Sequence, residues 1–216
     1  MNLAHLVQDA FELYRAFNEA HPLLGSMATA AVIYPTADIA SQYINDRQVN
    51  WRKVRYSTAL SPLYGLAAYG CVRTGDVVGE YVSQNPLVRG ALGPNIWGNL
   101  FNVFFFTNNT VGERTNYSLR KLAEHYQETC FGEGEWYTRI KEKVIGSIPR
   151  QEYLNALIGT VTFWNAFQAV NYSYVPQELQ TPSTLGVNLL WTIGLSFWSL
   201  RGGRRLAAAE RVSPVE

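Results

Sequence analysis

At 216 residues and a formal net charge of +1, the chain carries no global field that would draw it to nucleic acid or to an acidic partner. Hydrophobic residues make up 47% and the mean hydropathy is −0.10, which excludes a uniformly greasy transporter. Two cysteines, Cys71 and Cys130, exclude a disulfide framework. The scattered His5, His21 and His125 offer no metal-ligand spacing, and no glycine loop closes in Lys-Ser/Thr to cradle a phosphate. No catalytic residue, cofactor or metal site is expected.

The average hides a block structure. Five windows contain no Asp, Glu, Lys or Arg: Ala20–Ala37, Tyr56–Val72, Gly90–Gly112, Tyr153–Gln177 and Leu179–Leu200, of 18, 17, 23, 25 and 22 residues. Those are lengths suited to membrane-crossing helices. Gly, Ala, Ser, Thr and Asn lower their hydropathy without adding charge and favour close helix contact in a bilayer. If all five windows span, 15 of the 18 basic residues fall on one side, leaving only Arg15, Arg73 and Arg89 on the other. This is the bias of the positive-inside rule. The expected fold is therefore all-α: an integral membrane helix bundle with four to five transmembrane helices and an amphipathic N-terminal helix. Its parts are the amphipathic helix at 1–19, a bundle at 20–205 that includes a charged amphipathic link at 113–152, and a tail at 206–216.

In chain order, Leu3, Leu6, Val7, Ala10, Leu13, Tyr14 and Phe17 recur at helical spacing, an amphipathic helix lying on the membrane or on the bundle. Asp9 and Glu12 make it a poor transit peptide, and no removable targeting signal is visible. In the first window Pro22 suits a first helical turn and Pro35 predicts a kink. Beyond it Tyr34, Asp38, Ser41 and Gln42 share a polar face. A carboxylate there is costly unless paired or wet, so Asp38 sits at the interface, bonds a neighbouring helix, or faces a hydrated path. The second window carries Ser57, Ser61 and Gly65 as a small-residue seam, with Pro62 interrupting it.

In the third window Pro94 is expected to start the helix. Asn95, Asn99, Asn102 and Asn109 then fall within about 80° of one another, opposite Trp97, Leu100, Phe101 and Phe104. Such an amide stripe either bonds helices together or lines a hydrated path. In the link, Leu119, Leu122 and Tyr126 define one amphipathic face and Trp136, Ile140 and Val144 another; Lys121 has Glu124 and the neighbourhood of His125 in reach but is expected on a solvated face, and "GEGE" at 132–135 reads as a turn. "PQELQTP", Pro176 to Pro182, predicts a short turn between antiparallel last helices. Trp164, Gln168 and Asn171 share one face of the fourth window, and Asn188, Thr192, Ser196 and Ser199 one face of the fifth; "RGGRR" at 201–205 places cations at that helix's end. The amides are expected to face protein, with the Gln168–Asn171 face meeting the stripes of the third and fifth windows.

"WNAFQAVNYSYVP" (164–176), followed by Trp191 and by Leu195-Ser196, resembles the closing signature of the Mpv-seventeen / twenty-two-kilodalton peroxisomal membrane protein family. Trp164, Gln168, Asn171, Val175, Pro176, Trp191, Leu195 and Ser196 keep its residue types and spacing. "HPLL" at 21–24 and "ADIASQ" at 37–42 resemble its opening motifs, with Asn165 and Ala37 departing from a usual Pro and Gly. The resemblance implies an organelle membrane bundle, in the mitochondrial inner membrane or the peroxisome if the source is eukaryotic. It further implies a pore for small solutes, and not an enzyme. The alternative is a non-conducting scaffold. Partners are then the lipid bilayer and small solutes, with a second copy of the chain left open and no nucleic acid. Candidate pore or polar-face residues are Asp38, Gln42, Asn95, Asn99, Asn102, Trp164, Gln168, Asn171, Asn188 and Thr192.

Overall fold

The computed structural model describes the backbone over residues 3–212 and the side chains over 5–195. The side chains of Leu3, Ser196, Ser199 and 201–205, and the tail beyond 212, lie outside the described residues. Within them the chain is helical throughout and contains no strand. We label the helices α1 (Leu3–Ala20), α2 (Pro22–Asp46), α3 (Trp51–Tyr81), α4 (86–114), α5 (Leu119–Phe131), α6 (136–147), α7 (150–174) and α8 (Gln177–Val212). Each charge-free window falls largely within one long helix, α2, α3, α4, α7 and α8 in turn; the first window's Ala20 and His21 precede α2, and the fourth window's last residues, 175–177, run past α7. Of these, α2 alone is both long and apolar enough to be recognised as a membrane span among the described residues, with a mean hydropathy of 1.3 over its best 18 residues.

Local chemistry sets the helix ends. Asn50 caps α3, its side-chain oxygen accepting from Arg52 N and Lys53 N at 3.0 and 3.3 Å. Asn85 accepts from Leu87 N at 2.9 Å, and Pro86 occupies the first turn of α4. The expectation that Pro94 opens this helix is therefore corrected. The helix starts two turns earlier, and Pro94, which has no N–H to donate, stands at the start of a π-turn, Pro94–Gly98, inside it. A second π-turn, Thr160–Trp164, interrupts α7. In α3, Pro62 leaves the Thr58 carbonyl without its helical donor, and Ser61 Oγ donates to it at 2.7 Å. The turn before α8 is only Val175–Pro176, shorter than expected, and Pro182 lies inside the helix.

The long helices alternate in direction. At one end, Arg15 pairs with Glu178 at 2.7 Å and Asp76 with Arg89 at 3.4 Å, gathering α1, the α3–α4 turn and the α7–α8 turn. At the other end lie the α2–α3 turn and the α5–α6 link. α1 folds back along α2, where Tyr14 OH and Thr29 Oγ1 are hydrogen-bonded at 2.8 Å, and leaves Leu6, Val7, Leu13 and Phe17 on the outside. Tight spots are made by glycine. A Cβ on Gly65 would stand 2.6 Å from Ser26 O of α2, and one on Gly90 only 2.7 Å from Ala169 N of α7.

The link is two helices, as its two amphipathic faces require. Leu122 is buried, and Tyr126 OH donates to Asn108 Oδ1 of α4 at 2.7 Å. Lys121 is exposed, on the solvated face expected of it, and Glu124 pairs instead with Arg120, one turn before it, at 2.8 Å. Lys143 of α6 reaches Glu128 of α5 and holds its carboxyl below the usual range. His125 Nε2 is buried without a partner. Burial first, and the Lys143 charge second, lower its pKa, with Glu128 opposing.

Two outcomes are expected. Gly65→Leu forces α2 from α3, at a cost of about 1–3 kcal/mol, and lowers the melting temperature in detergent; Gly186→Ala, where an added Cβ meets nothing within 4 Å, does not lower it. His125 titrates in NMR with a midpoint below 6.5, since the folded state favours the neutral ring. Its contribution to stability is present above the ordinary imidazole range and is lost as pH falls through it.

Candidate functional site

Buried polar groups in a bundle must find partners or face a wet space. Most of the predicted residues find partners. Gln168 and Asn171 are fully buried, at 0% exposure, and join α7 to the first turns of α8. Gln168 Nε2 donates to Thr184 Oγ1 at 3.0 Å, and Asn171 Nδ2 to Gln168 Oε1, Gln180 O and Thr184 Oγ1 at 3.1–3.2 Å. They therefore meet α8, as expected, but not the amide stripe of α4. They are also remote from Asp38. Tyr172 beside them bonds Val72 O of α3 at 2.7 Å, whereas Asp38 pairs with Lys53, which is 19 residues away on that helix, about 28 Å.

The expected stripe on α4 is not one surface. Asn102 is buried and donates to Thr160 Oγ1 of α7 at 3.1 Å. Asn99 and Asn109 are half-buried and donate to carbonyls one turn back in their own helix, as does Asn95, which also reaches Asn165 Oδ1 at 3.3 Å. The projection assumed an uninterrupted α-helix. The π-turn at Pro94–Gly98 shifts Asn95 relative to Asn99, Asn102 and Asn109; in the regular helix beyond it Phe101 and Asn102 are buried while Leu100 and Phe104 stay exposed.

The two π-turns lie against each other, and a cavity of about 40 Å³ opens beside them in the middle of the bundle. Asn102, Trp164 and Asn188 line it, together with Tyr64, Thr184 and Trp191. Trp164 and Trp191 meet edge-on, with centroids 6.0 Å apart. Towards the link end, a second cavity of about 10 Å³ is lined by Asp38, Lys53, Asn108 and Thr192, among others. Between the two stands an aromatic septum. The Tyr34 and Tyr64 rings lie 4.8 Å apart, with Phe101 at 5.8 and 5.2 Å from them. Asn188 Nδ2 bonds Tyr34 OH, and Asn108 Nδ2 bonds Tyr64 OH at 3.2 Å. At the opposite end a wider depression of about 360 Å³ is bordered by Glu19, Arg73, Asp76 and Glu178.

Asp38 is 4% exposed, and its Oδ1 lies 3.5 Å from Lys53 Nζ of α3. Gln42 Oε1 accepts from Asn50 N at 2.6 Å and so closes the α2–α3 turn instead of facing a cavity. Thr192 Oγ1 and Asp38 Oδ2 have no partner within hydrogen-bond geometry. The sequence reading missed Lys53, Tyr64 and Asn108. Their signal was present: Lys53, Tyr56, Leu60 and Tyr64 recur at i, i+3, i+7 and i+11 on one face of α3. Asn108 likewise follows Phe101 and Phe105 on α4.

Residues 134–196 match the sequence model of the Mpv17 / PMP22 family. The resemblance holds over this stretch. It spans all of α6 and α7 and the part of α8 that carries Trp191, so the matched stretch includes the Gln168–Asn171–Thr184 joint and one wall of the central cavity. Searches among curated proteins and among solved structures returned no match.

Replacing Asn171 by Leu removes three hydrogen bonds at the joint and strands Gln168 Oε1. At about 0.6–2 kcal/mol per contact, the variant melts well below the parent. Asn109→Leu, which loses one bond to its own helix, changes the melting temperature little.

Proposed function

We propose that the chain is an integral membrane protein of five transmembrane helices that forms a pathway for small polar solutes, held closed in this conformation. The carrying observation is a file of three spaces: the charged depression at the Arg73–Asp76 end, the largely apolar central cavity with Asn102, Thr160, Thr184 and Asn188 in its wall, and the small cavity at Asp38 and Lys53. The Tyr34–Tyr64–Phe101 septum closes the file between the last two. The 15 basic residues at the link end orient the bundle with that end towards the compartment favoured by the positive-inside rule. By family resemblance the membrane is that of an organelle, the mitochondrial inner membrane first and the peroxisomal membrane next.

No reaction is assigned. Catalysis would need convergent acids, bases or metal ligands, and the central cavity's polar groups are amides and hydroxyls set among aromatic and small apolar side chains. A second reading, a closed scaffold, is favoured by a different observation: Asn102, Gln168, Asn171 and Asn188 all spend their amide donors on bonds within or between helices.

Swelling of liposomes containing the purified protein, in uncharged solutes of rising size, separates the two readings, with flotation confirming insertion. A pathway predicts size-limited swelling that quickens in Tyr64→Leu, where the septum loses a ring. Floated vesicles that do not swell with either protein favour the scaffold. Swelling that Tyr64→Leu leaves unchanged places the closure elsewhere.

A further inference from the structure

We infer that Lys53 and Asp38 together set the charge selectivity of the proposed pathway, Lys53 acting as a tethered counter-ion that neutralises the carboxylate in its narrow end. This rests on the reading of the cavity file as a solute path.

Both side chains are removed from solvent, at 9% and 6% exposure, and they line the same cavity of about 10 Å³. Their pairing is loose. The separation is 3.5 Å, Asp38 Oδ2 accepts no hydrogen bond, the Tyr117 ring centroid lies 5.9 Å from Nζ, and the carboxyl of Glu113 at the end of α4 also feels the Lys53 charge. A buried pair that served only stability would satisfy its remaining donors and lone pairs, because desolvation otherwise outweighs the attraction. Here the unsatisfied carboxylate oxygen shares its cavity with Thr192, whose hydroxyl also lacks a partner. Such a site discriminates ions by its net charge. With both groups present that charge is close to zero. Removing either one leaves a single fixed charge where the path is narrowest, and the two removals have opposite signs.

The experiment is the potassium-to-chloride permeability ratio, read from the reversal potential of reconstituted protein in a potassium chloride gradient. Lys53→Met is expected to raise the ratio above that of the parent and Asp38→Asn to lower it. The double variant, with no buried charge, should return the ratio to the parent's and conduct more, since neither side chain occupies the cavity as an ion. Single variants that shift the ratio in the same direction, or leave it where it was while conducting, overturn the inference and leave the pathway standing. Inserted protein that conducts in no form overturns both. Where a single variant fails to insert because its stranded charge unfolds it, the double variant decides: conductance above the parent's supports the pair, and unchanged conductance removes it from the path.

Discussion

A side-chain amide in a helix without charges has few places to go, and this constraint organises the bundle. Hydrophobic contact distinguishes poorly between one apolar helix and another, whereas an Asn or Gln fixes both partner and register. Gln168 and Asn171 settle on Thr184 and Gln180 and so join α7 to α8. Asn102 and Thr160 join α4 to α7, and Asn188 and Tyr34 join α8 to α2. Asn108 ties α4 to both α3 and α5 through Tyr64 and Tyr126. Glycines let the helices come close enough for these short side chains to reach, as Gly65 and Gly90 do.

The same helices fail to pack perfectly where their ladders are interrupted. The π-turn at Pro94–Gly98 faces the one at Thr160–Trp164, and the bulky rings of Trp97, Trp164 and Trp191 span the gap without filling it. The central cavity is thus a consequence of backbone irregularity, a common association at functional positions. Aromatic rings then limit its extent. Tyr34 and Tyr64 are each anchored by an amide at the hydroxyl, which holds the septum in place.

Much of this was legible from charge and spacing. Charge-free windows located all five long helices, because charge is excluded from their interiors and gathers at their ends. The small-residue seam in α3 located Gly65, and the face shared by Gln168 and Asn171 located the α7–α8 joint. Where the reading failed, the cause was local backbone chemistry or a partner distant in sequence. Pro94 was taken as a helix start, although Asn85 and Pro86 supply a better one, and the resulting projection made a stripe of Asn95, Asn99, Asn102 and Asn109 that the π-turn divides. Asp38 was recognised as needing a partner. Its partner Lys53 lay outside every charge-free window and was counted only among the basic residues of a link.

Five helices crossing a bilayer in alternation is the claim on which the pathway depends. Single cysteines at Gln48, Val82 and Glu133, in a Cys130→Ser background where the remaining Cys71 is buried, test it with a membrane-impermeant maleimide. In sealed vesicles of uniform orientation, Gln48→Cys and Glu133→Cys should react from the same side, and Val82→Cys only after permeabilisation, or the reverse. Equal labelling of all three from one side would contradict the alternation, and with it the membrane-spanning bundle.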